Sequence, residues 1–480
     1  MSAAPQEPFS YESLSARYGA RYPWLLLLVA GLGVVSSLLA STSFTVAVPA
    51  LIARFGISPS QVQWVITAFM AAMTVGMLPT SWLLDHLGFR RLFLGATALM
   101  TLAGLAGSLA PNFAAVVALR ALQGAAAGIL QPLATIAVMR LFPAGRQGQA
   151  MGILGFGIVL APALAPTLAG MLLDGFGWAA IFLLNLPICL LALVLGARLL
   201  PLRRPAEQRG FDWLGLALLT LATLAAVEAV ANLERHGPAG TWTLLFFGLA
   251  AAGWVAYVLH ARRASHPIIS LAPFADRTFT MGAVVTFTYG FGLYASAYLI
   301  PVFLQHAMHF SATAAGVALL PSGIVLALTI PLAGRMADRF AAQRVTIAGL
   351  LAFCLSFVFF GLVADHIRYA EIIGGTVLGR IGLGLILPAL SIATLRQLPH
   401  ELISQSSVVV AYLRQLGGVM GVAVAAVFVA WREAAYQGRA EGVVDAYADG
   451  YYMVAGVFVL AIVAAGFMKG RGASAGASNT

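Results

Sequence analysis

Apolar runs of about twenty residues succeed one another along almost the whole chain, and few charges interrupt them. A helix rises 1.5 Å per residue, so a run of that length matches the ~30 Å hydrocarbon core of a bilayer. Composition supports the same reading. Of 480 residues, 61% are hydrophobic and only 9% charged. Soluble globular proteins carry about 25% charged residues. Too few polar groups remain here to face water all round, so the chain is read as an all-α polytopic membrane protein. The 50 glycines fit helices that pack closely in lipid.

Fourteen spans are expected, near 24–53, 62–84, 92–110, 113–139, 150–173, 178–197, 211–231, 241–260, 279–304, 312–333, 345–364, 370–395, 406–431 and 450–468. The first 20 residues are polar, with Glu7 and Glu12, and read as a cytoplasmic tail rather than a cleaved signal. With the amino terminus inside, 19 of the 27 Lys and Arg fall on the cytoplasmic side and three lie within spans. The remaining five, Arg54, Arg235, Arg368, Arg432 and Arg439, fall outside. The opposite orientation would break the positive-inside rule. Both termini are therefore expected to be cytoplasmic. The net charge of +10 is accounted for by this asymmetry, and no nucleic-acid partner is expected.

The chain also repeats itself. "PLATIAVMRLFP" (Pro132–Pro143) returns 256 residues later as "PALSIATLRQLP" (Pro388–Pro399), with both prolines and the arginines Arg140 and Arg396 in register. "SWLLDHLGFRR" (Ser81–Arg91) is echoed by "GRMADRFAAQR" (Gly334–Arg344). Each places an acid and then basic residues in a short loop. Copies with the same orientation imply a parallel repeat of two six-span halves. The expected organisation is a tail (1–23), a six-helix bundle (24–200), an inserted helix pair with its loops (201–278), a second six-helix bundle (279–468) and a carboxy-terminal tail (469–480).

These residues resemble the major facilitator superfamily, and within it the fourteen-span drug:proton antiporters. Ser81–Arg91 is similar to the loop motif G-x-L-a-D-r-x-G-r-k, with Asp85, Gly88, Arg90 and Arg91 in place and Ser81 where Gly is usual. Gly334, Asp338 and Arg339 form its second copy. "LRALQGAAAG" resembles the fourth-span motif, giving Arg120, Gln123 and Gly124. "GIVLAPALAPTLAG" (Gly157–Gly170) resembles the fifth-span antiporter motif through Gly157, Pro162, Pro166 and Gly170, with Ala165 and Ala169 at usual Gly positions. "FLLNLP", "YLIPVFLQ" and "LRQLGGVMG" are similar to stretches of the same branch.

The resemblance implies a major facilitator fold and proton-driven efflux of amphipathic small molecules across a bacterial cytoplasmic membrane. It also implies a control of leak and antiport direction in the fifth span. Such an exporter is expected to act as a monomer without a cofactor, and a periplasmic adaptor with an outer-membrane channel is a candidate partner. Two other readings stand beside it: an importer or facilitator of organic anions, and a non-transporting receptor or scaffold.

One departure bears on the substrate. Relatives often carry an Asp in the first span, whereas "LASTSFTVAVP" (Leu39–Pro49) has Ala40 at that place and Thr45 for a usual Asn. Asp212 and Glu228 in the seventh span and Glu371 in the twelfth are the remaining membrane acids. Against them stand Arg120, Arg380 and Arg414, each within a span. An arginine in hydrocarbon faces the bundle interior and a polar partner. The five residues Arg120, Arg380, Arg414, Asp212 and Glu228 are therefore candidates for substrate or proton binding. An anionic, zwitterionic or neutral amphipath, paired with Arg120 or Arg380, is favoured over a lipophilic cation.

Other chemistry is thin. His306 and His309 form an interfacial pair without further ligands, so no metal site is expected. Cys189 and Cys354 lie in separate spans and imply no disulfide. There is no Walker motif and no nucleophile elbow, so neither ATP-driven transport nor an enzyme is expected.

Overall fold

The structure is a computed structural model, and it describes residues 10–202, 210–439 and 441–468. The start of the amino-terminal tail, part of the loop after the sixth expected span and the carboxy-terminal tail lie outside the described residues. Seventeen α-helices follow in order among the described residues: α1 Tyr11–Tyr18, α2 Tyr22–Ser43, α3 Val48–Phe55, α4 Pro59–Val62, α5 Trp64–Met77, α6 Thr80–Ser108, α7 Phe113–Leu141, α8 Gln147–Phe176, α9 Leu186–Leu199, α10 Trp213–His236, α11 Thr241–Ala261, α12 Arg277–His306, α13 Ala312–Arg339, α14 Ala342–Val363, α15 Tyr369–Leu395, α16 Ile403–Ala435 and α17 Gly442–Gly466.

Among the described residues, thirteen helices or continuous helical runs are long and apolar enough to cross a membrane, and Trp64–Met77 is a shorter apolar helix. This is a multi-pass membrane protein. One expected span is broken and one long helix is bent. The first expected span, 24–53, is interrupted after Ser43, and α3 starts afresh with Pro49 in its first turn, where a missing N–H costs nothing. Within α6, Gly88 has φ 72° and ψ 163°, a left-handed φ that residues with a Cβ rarely adopt. Thr80–Leu87 and Phe89–Ser108 are thus two helical arms meeting at Gly88.

The helices contact one another in two main groups. The amino-terminal helices pack on one another, chiefly α5 on α7, α6 on α7 and α9, and α2 on α7, α8 and α9. The carboxy-terminal helices do the same, with α12 on α16, α14 on α15 and α17, and α13 on α15. Helices α10 and α11 pack on each other, and α10 also lies along α16 and α5. The two sets meet mainly where α8 runs along α13, and where α16 touches α5, α6 and α7.

Glycines permit the closest approaches. A Cβ on Gly124 or Gly128 would overlap the carbonyl oxygen of Phe69 or Met73, which is why α7 can lie backbone to backbone on α5. Gly290 of α12 and Gly417 of α16 play the same part in the other half, against the carbonyls of Arg414 and Phe287. That contact sets the height of Arg414 in the core.

Candidate functional site

The two sets of helices are tied together at one face by Asp338. Helix α13 ends at Arg339, and its last turn brings Asp338 to the amino end of α8. The carboxylate accepts the backbone N–H of Gly148 and of Gln149, both at 2.8 Å. These are two of the four N–H groups that a helix start leaves without an internal partner, and the helix dipole adds its positive end. Arg396, just past α15, donates from Nη2 to the same carboxylate at 3.2 Å and to the Ala144 carbonyl at 2.6 Å. Its Nε donates to Gln147 Oε1 at 3.3 Å. Burial pushes the Arg396 guanidinium below its usual range, and the charge of Asp338 opposes the shift. Gly148 and Gly334 make room for this junction, since a Cβ on either would overlap the carbonyl oxygen of the other. Arg339 points outward and is exposed.

The first copy of the loop motif is arranged differently. Asp85 is half-buried and has no hydrogen bond or ion pair among the described residues. It borders a cavity of about 1040 Å³ with Gly88, Arg140, Leu200, Glu401 and Tyr11 of the amino-terminal helix. Arg140 donates to Ser404 Oγ at 2.6 Å, at the start of α16. Arg90 donates to the carbonyls of Ala197 and Leu200 and so ties α6 to the end of α9. Arg91 is exposed. The two motif copies therefore present one bound and one unbound carboxylate.

The fourth-span arginine is enclosed. Arg120 is 0% exposed. Its guanidinium lies 4.3 Å from the Phe44 ring centroid and 4.1 Å from that of Phe69. It donates to the Val65 carbonyl at 3.2 Å and to Gln123 Oε1 at 3.1 Å, while Nη2 has no partner. Two aromatic faces and two acceptors account for its burial. The arrangement braces α7 against α5 and the end of α2.

In the fifth-span motif, Pro162 and Pro166 sit inside an uninterrupted α8. Gly157 faces Val35 of α2, and Gly155 faces Ile330 of α13, whereas Gly170 has open space where a side chain would be. Of the motif's two glycines, only Gly157 serves a helix contact, with α2; the contact with α13 is served by Gly155, just before the motif.

At the seam between the two sets, Arg414 donates to Gln131 Oε1 of α7 at 3.3 Å. Both line a cavity of about 30 Å³ whose walls include Val34, Leu38, Leu154, Ile158 and Leu387. Tyr289 of α12 lies within electrostatic reach of both Arg414 and Arg380, and Tyr294 within that of Arg414. Asp212 and Glu228 are elsewhere. Asp212 caps α10 by accepting the Gly215 N–H at 2.8 Å, and it also meets His260 Nε2 at 2.8 Å. Glu228 is contacted by Asn232 of its own helix. Glu371 accepts the Arg368 N–H in the first turn of α15. His306 faces Tyr447 and Glu433.

Among the five candidates for substrate or proton binding, Arg380 and Arg414 share Tyr289 as an electrostatic neighbour. Sequence reasoning missed Gln131, Tyr289 and Tyr294, which no motif marks. It also missed Gly148 as the acceptor's partner. A helix start opposite a duplicated acid was the only available signal for it.

The Major Facilitator Superfamily matches residues 29–279 and 282–478. The chain belongs to this superfamily. It is 32% identical over 416 residues to the multidrug resistance protein B homolog of Mycobacterium tuberculosis, covering 85% of this chain and 77% of that protein. It is 27% identical over 408 residues to the lincomycin resistance protein LmrB of Listeria innocua, covering 85% and 86%. To the riboflavin transporter RibZ of Clostridioides difficile it is 29% identical over 405 residues, covering 83% and 87%. The fold is similar to that of the proton:xylose symporter XylE (TM-score 0.66, 14% identity, 93% and 95% covered). It is likewise similar to the human organic anion transporter MFSD10 (TM-score 0.64, 18% identity, 92% and 99% covered). The protein is a transporter of this superfamily.

Proposed function

We propose that this transporter exports amphipathic small molecules by alternating access, driven by the proton-motive force, as a member of the fourteen-span drug:proton antiporter branch. In this reading the chain crosses a bacterial cytoplasmic membrane fourteen times, with both termini in the cytoplasm. Trp64–Met77 and Thr80–Leu87 together make the second crossing. Helices α2–α9 and α12–α17 are the two six-span bundles, and α10 with α11 is the inserted pair. The transporter acts as a monomer, and a periplasmic adaptor with an outer-membrane channel would carry the exported compound onward.

The observation that carries this reading is the Asp338 junction. It joins the two sets of helices at one face through hydrogen bonds, beside an apolar cluster that brings Met151 and Leu154 of α8 together with Ala337 of α13 and Ile392 of α15. Such bonds can be exchanged for water when the face opens, and each hydrogen bond to a charged group contributes roughly 1.5–3 kcal/mol. That is the scale on which two access states can be balanced. Relatives named for multidrug and lincomycin resistance support export over import.

The test uses inside-out vesicles from cells with and without the protein, energised by respiration. Uptake of a panel of amphipathic compounds should rise with the protein present and collapse when an uncoupler is added. Uptake that persists without a gradient would point to a facilitator, and no protein-dependent uptake across the panel would remove the exporter reading.

A further inference from the structure

Arg380 in α15 and Arg414 in α16 are charged groups in the membrane interior that lack an anion. A guanidinium carries five N–H donors and does not lose its proton, and an arginine within a membrane helix is costly unless its donors find partners. Arg120 meets that cost with two aromatic faces and two acceptors. The other two do not. Among the described residues, Arg414 has the single acceptor Gln131, at a long 3.3 Å, and Arg380 has no hydrogen-bond acceptor. Neither forms an ion pair among the described residues. Asp212, Glu228 and Glu371 have their partners at α10, α11 and the start of α15, and none of them pairs with either arginine among the described residues. Unlike Arg120 Nη2, no nitrogen of Arg380 or Arg414 is sealed without a partner. Their donors therefore open onto internal space.

That space lies where a substrate would pass. Arg414 lines the seam between the two sets of helices, and the charges of both arginines reach the Tyr289 hydroxyl. Leu387, on the apolar wall of the seam, lies seven residues after Arg380 and so on the same face of α15. A positive head-group site thus adjoins an apolar wall. In the closed seam the cavity is only about 30 Å³, so binding requires the halves to part. Parting them removes Gln131 from Arg414, since Gln131 belongs to the opposite set.

We infer that Arg380 and Arg414, with the hydroxyls of Tyr289 and Tyr294, bind the carboxylate of an amphipathic organic anion whose apolar body lies along the seam. The anion replaces Gln131 as the acceptor when the seam opens. This rests on the reading of the protein as a transporter of amphipathic solutes, and it narrows that class by charge. A lipophilic cation would meet two uncompensated positive charges at the same place.

The experiment measures binding apart from transport. Purified protein in nanodiscs of phosphatidylcholine, which excludes anionic lipid, is titrated at neutral pH with two probes: a benzoate and a benzyltrimethylammonium bearing the same alkyl chain. The benzoate should bind tighter by on the order of tenfold or more, the scale of a charge-assisted contact. Arg380→Gln and Arg414→Gln should each bring the ratio close to one, whereas Arg414→Lys should retain most of it. Equal or tighter binding of the cation, a ratio unchanged in both Gln variants, or no saturable binding of the benzoate would each overturn the inference. If a Gln variant does not elute as a monodisperse peak, the wild-type ratio and the Lys variant still decide. The same two probes are then followed in proteoliposomes with an imposed pH gradient. Preferential benzoate binding without transport would remove the exporter reading and leave the site. Cation transport with no benzoate preference would do the reverse.

Discussion

The carboxylate of Asp338 accepts the backbone N–H of Gly148, 190 residues away in sequence, at 2.8 Å. It closes a junction between the carboxy-terminal end of one helix and the amino-terminal end of another. The Asp338 side chain is only 9% exposed, so water screens these bonds little.

Asp338→Asn should open this face. The amide keeps one acceptor oxygen but loses the charge that serves two N–H groups and Arg396. At roughly 1.5–3 kcal/mol for a hydrogen bond to a charged group, the closed-to-open ratio should fall by about tenfold or more. A cysteine at Thr135, which lines the seam, should then react faster with a maleimide supplied from the Asp338 face. Asp85→Asn should show a smaller effect, because Asp85 has no such bonds here. Equal labelling rates in wild type and Asp338→Asn would reduce the junction to a static loop contact.

Gly148→Ala should mimic that opening without removing a charge. The added Cβ would run into the Gly334 carbonyl oxygen and the Asp338 carboxyl group, so the two helices must separate. Several-fold faster labelling at the same cysteine is expected, with transport reduced in step. Gly95→Ala is the control, since nothing lies within 4 Å of that position. Comparable losses in both variants would mean a general packing defect instead.

Arg120 should matter for folding more than for substrate choice. Arg120→Lys loses the planar stacking between Phe44 and Phe69, each contact contributing about 0.5–2 kcal/mol. It also exchanges the forked guanidinium that serves both the Val65 carbonyl and Gln123 for a single ammonium on a shorter reach. A destabilisation on the order of 2–4 kcal/mol is expected, read as a lower melting temperature in detergent. The ratio of benzoate to cation binding should remain as in the wild type. A stable variant that had lost that preference would move Arg120 into the binding site.

The crossing number can be checked with two exposed positions in a chain whose two native cysteines are buried. Ala239 lies in the turn between α10 and α11, and His400 follows α15. Cysteines there should label from opposite sides of the membrane, with at least a several-fold preference each. Labelling of both from one side would exclude fourteen crossings with an inserted pair.

The apolar runs, the duplicated motifs and the loop acids were legible in the sequence, because hydrophobic length and local motif order are properties of contiguous residues. Helix breaks were less so. The interruption after Ser43 and the bend at Gly88 depend on how neighbouring helices hold the chain. The functional pairing was decided only in three dimensions. Asp85 and Asp338 occupy equivalent motif positions, yet one borders a cavity and the other binds a helix start from the opposite set. Arg120, Arg380 and Arg414 look alike as single charges in apolar spans. Backbone contact of α7 with α5 at Gly124 accompanies the phenyl rings around the first, and contact of α12 with α16 at Gly290 and Gly417 sets Arg414 near Tyr289. A charge's position along a helix is written in the sequence, but the partners it meets depend on which faces of distant helices pack together.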